Sequence, residues 1–132
     1  MLAFQVPRIE RLALRNQGAL LRRGLETSGM PDSSLDQVFD RMSQPGALTA
    51  GLNWYRAVLL GGEQTIGSVS VPTTHVWSTE DVALDRVGAE LTARHASGPY
   101  KLEILDGISH WIPEEVPERA AEIILARMRG TA

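Results

Sequence analysis

Apolar residues in the first sixty positions recur at helical spacing. Ile9, Leu12, Leu14, Leu20, Leu21 and Leu25 fall roughly on one face, with Pro7 placed as a first-turn proline. Gly29 and Pro31 end that run. Asp32 or Ser33 can cap a second helix that carries Leu35, Val38, Phe39 and Met42, and Pro45 with Gly46 breaks it. A third helix, from about Ala47 to Leu60, holds Leu48, Leu52, Tyr55 and Leu59; Gly61 and Gly62 stop it. Residues 63–70 read as a polar link.

The pattern then changes. Residues 71–77, VPTTHVW, are β-branched and apolar, which predicts a short buried strand. Residues 83–96 place Leu84, Val87 and Leu91 on one face of a helix closed by Gly98 and Pro99. Residues 100–105, YKLEIL, alternate and predict a second strand. Residues 116–128 predict a last helix with Pro117 in its first turn and Ala120, Ile123, Ile124 and Met128 facing inward. The second half is therefore β-α-β-α. Two strands joined by a helical crossover are normally parallel. Parallel sheets are covered on both faces and usually hold more than two strands, so two alone point to an incomplete sheet. The class is α/β: a helical segment over residues 1–62, then part of a parallel sheet over 63–132.

Composition narrows the function classes. The 132 residues suit a small globular chain, 43% hydrophobic and 22% charged. A net charge of −3 gives no basic surplus for nucleic acid. No stretch approaches the roughly 18 apolar residues of a membrane span. The N-terminus has no basic region before an apolar run, so neither a membrane nor secretion is expected. There is no cysteine, which excludes disulfides and thiol chemistry and fits the cytoplasm.

In a parallel α/β sheet, ligands sit beyond the carboxyl ends of the strands. Both polar clusters of the second half lie there: STED, residues 78–81, and GISH, residues 107–110. Neighbouring strands are about 4.8 Å apart, so their end loops can touch. An acid at Asp81 can then hold the imidazole of His110 in one tautomer, the acid–base part of a catalytic triad. Glu80 is the rival acid, and spacing does not separate the two. The structural alternative makes Asp81 a helix cap and His110 a satisfied loop histidine. His75, inside a strand, suits a structural role. His95, at a helix end, suits a solvated one. No two histidines have metal-ligand spacing with a carboxylate, and no phosphate-binding glycine loop occurs, so no metal or cofactor is expected.

Three longer stretches carry a resemblance. PGALTAGLNWYRA at 45–57, VPTTHVWSTEDVAL at 71–84 and GPYKLEILDGISHWIPEEVPERAAEIIL at 98–125 resemble the C-terminal half of an α/β-hydrolase of the epoxide hydrolase and haloalkane dehalogenase branch. The likeness covers nearly the whole chain. It implies that Asp81 is the triad acid and His110, before Trp111, the base. It also implies that residues 1–62 belong to a helical cap. Tyr55, in Asn53-Trp54-Tyr55-Arg56, would hang into the pocket, bind the substrate and donate its O–H to the oxygen of an opening epoxide. That chemistry needs such a donor, because a developing alkoxide leaves poorly without one. Trp54, Trp77 and Trp111 are expected to pack rather than react.

Other family parts do not occur. The chain has no G-x-S-x-G or G-x-D-x-G turn to bear a nucleophile, and no His-Gly-x-Pro segment. The resemblance places both upstream, together with the central strands and a second tyrosine. Ser78 stands where many relatives carry glycine. The expectation is thus a fragment without turnover of its own, and a small apolar substrate for the complete enzyme. Its exposed sheet edge would pair with a missing N-terminal half or with copies of itself. The alternatives are a non-catalytic binding or regulatory module, and a dehalogenase or ester hydrolase of the same fold.

Overall fold

The computed structural model describes residues 2–6, 8–58, 60–61 and 66–130, with the side chains of residues 2 and 3 left aside. The expectations for Pro7, Leu59 and Gly62 fall outside the described residues. The chain forms two compact units: residues 1–27 with 32–65, and residues 28–31 with 66–132.

The first unit is helical. After a short 3₁₀ turn at Leu2–Gln5 come α1 (Ile9–Ala13), α2 (Arg15–Thr27), α3 (Asp32–Met42) and α4 (Ala47–Ala57). The single helix expected before Gly29 is broken. Asn16, Gln17 and Gly18 all have left-handed backbone, at φ 52, 57 and 71. Asn and Gly tolerate that conformation. At Gly18 packing adds a second reason, since a Cβ there would collide with the Phe39 ring of α3. Leu35, Leu48 and Leu52 supply the buried apolar residues of α3 and α4. Gly46, at φ 81, is the N-cap of α4. Arg56 bonds the Phe4 carbonyl through Nε at 3.0 Å, and its Nη1 reaches Glu10 at 2.6 Å and Asn53 at 3.1 Å. The guanidinium, hydrogen bonded to Glu10, holds that carboxyl below the usual glutamate range.

The second unit is a two-stranded parallel sheet with its helices: β1 (Thr73–Glu80), α5 (Arg86–Leu91), β2 (Tyr100–Ser109), α6 (Ile112–Glu115) and α7 (Pro117–Met128). The order β-α-β-α and the parallel pairing follow the sequence pattern. Both strands run further than expected, β1 to Glu80 and β2 to Ser109. The helix expected over 83–96 is α5 followed by a 3₁₀ turn at Thr92–His95, because Asp85 caps it late by accepting from the Val87 N–H at 2.8 Å. Trp77, Ala89, Leu105 and Ile123 are buried. The inward face expected of α7 divides: Ile123 is buried and Ala120 half-buried, but Ile124 and Met128 are 58% and 77% exposed; on α5, Val87 of the apolar face is 59% exposed.

Register is constant over most of the sheet and then changes. Val69 bridges Ala96, Thr73 faces Tyr100, and each following residue keeps step to Ser78, which faces Leu105. Glu80, two residues further along β1, faces Ser109, four residues further along β2. Two extra residues of β2 bulge out between them. Gly107 in that bulge has φ 69, which glycine adopts without steric cost.

Candidate active site at the strand ends

His110 follows β2 and Asp81 follows β1, so both stand at the carboxyl ends of adjacent parallel strands. The His110 Nδ1 lies 2.9 Å from Asp81 Oδ2. The acid is buried, its side chain only 5% exposed, while the His110 ring is 34% exposed. The buried end of the pair is thus the carboxylate and the accessible end is the ring.

Three donors converge on Asp81. Burial alone would raise its pKa, but the hydrogen bond from His110 and the Leu84 and Ala83 backbone N–H groups outweigh it, and the carboxyl is held below the usual aspartate range. The two backbone bonds go to Oδ1, at 2.9 and 2.7 Å, in an Asx-type turn. The helix-cap role set against the histidine-partner role falls to Asp85 instead; Asp81 forms the turn with Oδ1 and meets His110 with Oδ2. An ionised carboxylate only accepts, so the Nδ1 of His110 carries its hydrogen. The neutral ring then keeps its lone pair on Nε2, which has no hydrogen bond among the described residues. That is the arrangement of an oriented base.

Neighbouring side chains frame the pair. Glu80, the rival acid, is exposed and faces Ser109. Trp77 donates through Nε1 to the Leu84 carbonyl at 3.0 Å, holding the Asp81 turn against β1. Ser78 is fully buried and donates to the Ser109 carbonyl at 2.6 Å, tying the two strand ends together. Glu115 accepts from the Ser109 N–H at 2.9 Å. Ser109 Oγ donates to the Gly29 carbonyl at 3.2 Å and accepts from the Trp111 N–H at 3.2 Å. Trp111 stands edge-on to His110, centroids 5.3 Å apart, and its Nε1 donates to Ser28 Oγ at 2.9 Å.

His75 sits in β1 with Nδ1 3.2 Å from the Tyr100 hydroxyl, and His95 is exposed at the end of its 3₁₀ turn. Tyr55 lies in the first unit on α4, 41% exposed, with its ring 4.9 Å from that of Phe4. Trp77 is buried, but Trp54 is 81% exposed and packs little of its ring. Among the described residues no group of three or more histidines and carboxylates is placed to hold a metal ion. None of their helices is long and apolar enough to cross a membrane.

No family model matches the chain. It is 35% identical to AB hydrolase superfamily protein YfhM of Bacillus subtilis, over 96% of this chain and 46% of that protein. It is 32% identical to Epoxide hydrolase 3 of Mus musculus, over 74% of this chain and 27% of the relative. Epoxide hydrolase A of Mycobacterium tuberculosis is 30% identical over 80% of this chain and 35% of its own length. The chain thus spans less than half the length of the curated relatives it matches. A crystal structure of wild-type Cfl2 from Burkholderia cenocepacia shares the fold, with a TM-score of 0.74 at 22% identity over 92% of this chain and 44% of that one. By its sequence relatives and its fold, this chain belongs to the α/β-hydrolases, and it matches epoxide hydrolases among them over less than half of their length.

Proposed function

We propose that this chain supplies the base and its orienting acid to an epoxide-opening hydrolase. The observation that carries it is the His110–Asp81 pair at adjacent strand ends, with the acid buried and the ring accessible. A carboxylate outside these 132 residues attacks an epoxide carbon, breaking the C–O bond and forming an ester. Tyr55 donates a proton to the departing oxygen. His110 then takes a proton from water through Nε2, and the resulting hydroxide cleaves the ester to release a diol. Asp81 stabilises the imidazolium formed in that step. Tyr55 favours an epoxide over a haloalkane, since a halide needs no proton to leave. The mechanism calls for no metal or cofactor, and the substrate is small and apolar. Lack of cysteine suits a cytoplasmic setting.

The test is a chimera in which this chain replaces the matching region of the Mycobacterium tuberculosis epoxide hydrolase. Diol formation from an aryl epoxide is expected, falling at least about 100-fold with His110→Ala, as loss of a general base does. A chimera as active with His110→Ala as without it would overturn the proposal. The 132-residue chain by itself should form no diol above a His110→Ala control.

A further inference from the structure

We propose that Thr79 is a positioning residue that sets His110 level with Asp81, by closing the bulge in β2. The inference rests on the His110–Asp81 pair being the working pair of the proposed hydrolase.

Register makes the case. From Val69 to Ser78 the two strands keep one step. Continued unchanged, that step would set Ile108 against Asp81 and carry His110 two residues too far. The two extra residues of β2 between Leu105 and Ser109 absorb the difference, and His110 becomes the next residue along from the Glu80–Ser109 pair, as Asp81 is. A bulge of this kind removes backbone groups from the ladder, and a backbone N–H without a partner is costly. Thr79 meets that need. Its Oγ1 accepts from the Gly107 N–H at 2.8 Å and donates to Asp106 Oδ1 at 3.1 Å. One hydroxyl thus clips Asp106 and Gly107, two of the three residues between Leu105 and Ser109, using both its donor and its acceptor capacity. Thr79 lies between Ser78 and Glu80, where the register changes, so the clip sits at the break itself.

The neighbouring side chains of Ser78 and Asp81 bond elsewhere. Ser78 reaches the Ser109 carbonyl, beyond it, and Asp81 holds its own turn and His110. Thr79 touches no reacting atom. Its effect on chemistry would pass through the place and tautomer of His110.

The experiment uses the full 132-residue chain and needs no turnover, so it fails or succeeds independently of the hydrolase assignment. Thr79→Val keeps the β-branched shape and removes the hydroxyl. Thr79→Ser keeps the hydroxyl. The readouts are the far-downfield Nδ1–H proton resonance of His110, which reports its hydrogen bond to a carboxylate, and the carboxyl titration of Asp81 by ¹³C NMR. His75, bonded to Tyr100 across the same strands, serves as the reference for an intact sheet. The expected result is loss of the His110 resonance in Thr79→Val, with Asp81 titrating nearer the ordinary aspartate range, His75 unchanged, and both signals restored in Thr79→Ser. Retention of the His110 resonance in Thr79→Val would overturn the proposal. Global loss of dispersion in Thr79→Val would also overturn it, because the claim is of a local device.

Discussion

Asp81 divides its two oxygens between the turn that follows β1 and the imidazole of His110. Its carboxyl titrates lower folded than free, so ionisation stabilises the fold at neutral pH, and that contribution is lost as pH falls through the depressed value. Asp81→Asn should therefore flatten the acid limb of stability, seen as a urea midpoint that changes less with pH below the ordinary aspartate range. Ser78 is the other residue-scale constraint. Removing its buried hydroxyl in Ser78→Ala should cost about 1 kcal/mol, measured by urea unfolding, because the Ser109 carbonyl loses a donor. The pair itself was legible from strand ends and spacing. Spacing alone did not say which acid pairs with His110, since Glu80 and Asp81 differ by one position; the resemblance named Asp81, and the register change at Ser78–Glu80 is what brings it level with the ring. Ser78, Thr79 and Ser109 were missed as supports, because short hydroxyl residues carry no periodic signal. Gly107 inside an alternating apolar stretch was the one available sign of a bulge.

At the scale of elements, hydrophobic periodicity found the helices and strands but not their ends. Local hydrogen bonding decided those: Asp85 starts α5 three residues later than the apolar pattern does. The break in the first helix had a sign in Asn16 and Gly18; that residue 18 must lack a Cβ has a further reason, the Phe39 ring of another element. Two glycine substitutions in α2 separate the cases. Gly24 has open space around its Cβ position and ordinary helical backbone, so Gly24→Ala should stabilise by about 0.5–1 kcal/mol. Gly18→Ala adds a clash and a left-handed penalty, and should cost about 1–3 kcal/mol. Thermal unfolding of the two variants against the parent reads both signs.

For the whole molecule, the exposed apolar residues of α5 and α7, beside the buried Ile123, mark where periodicity misled, and they do so for a physical reason. Val87, Ile124 and Met128 lie at helical spacing suited to burial, yet the described chain offers them little to pack against. A parallel sheet of two strands is likewise short of the cover such sheets have. We propose that these surfaces meet a second copy of the chain in solution. Light scattering of the purified 132 residues should then give a mass above the 14.4 kDa monomer that grows with concentration, and a monodisperse monomer at all concentrations would contradict this. The central claim, that His110 cleaves an ester formed elsewhere in the enzyme, has one most direct test: the intact mass of the His110→Ala chimera with the Mycobacterium tuberculosis epoxide hydrolase after exposure to an aryl epoxide. The account predicts a stable increase equal to one epoxide, absent from the parent chimera because His110 there completes hydrolysis. An unmodified mass for the His110→Ala chimera would contradict it.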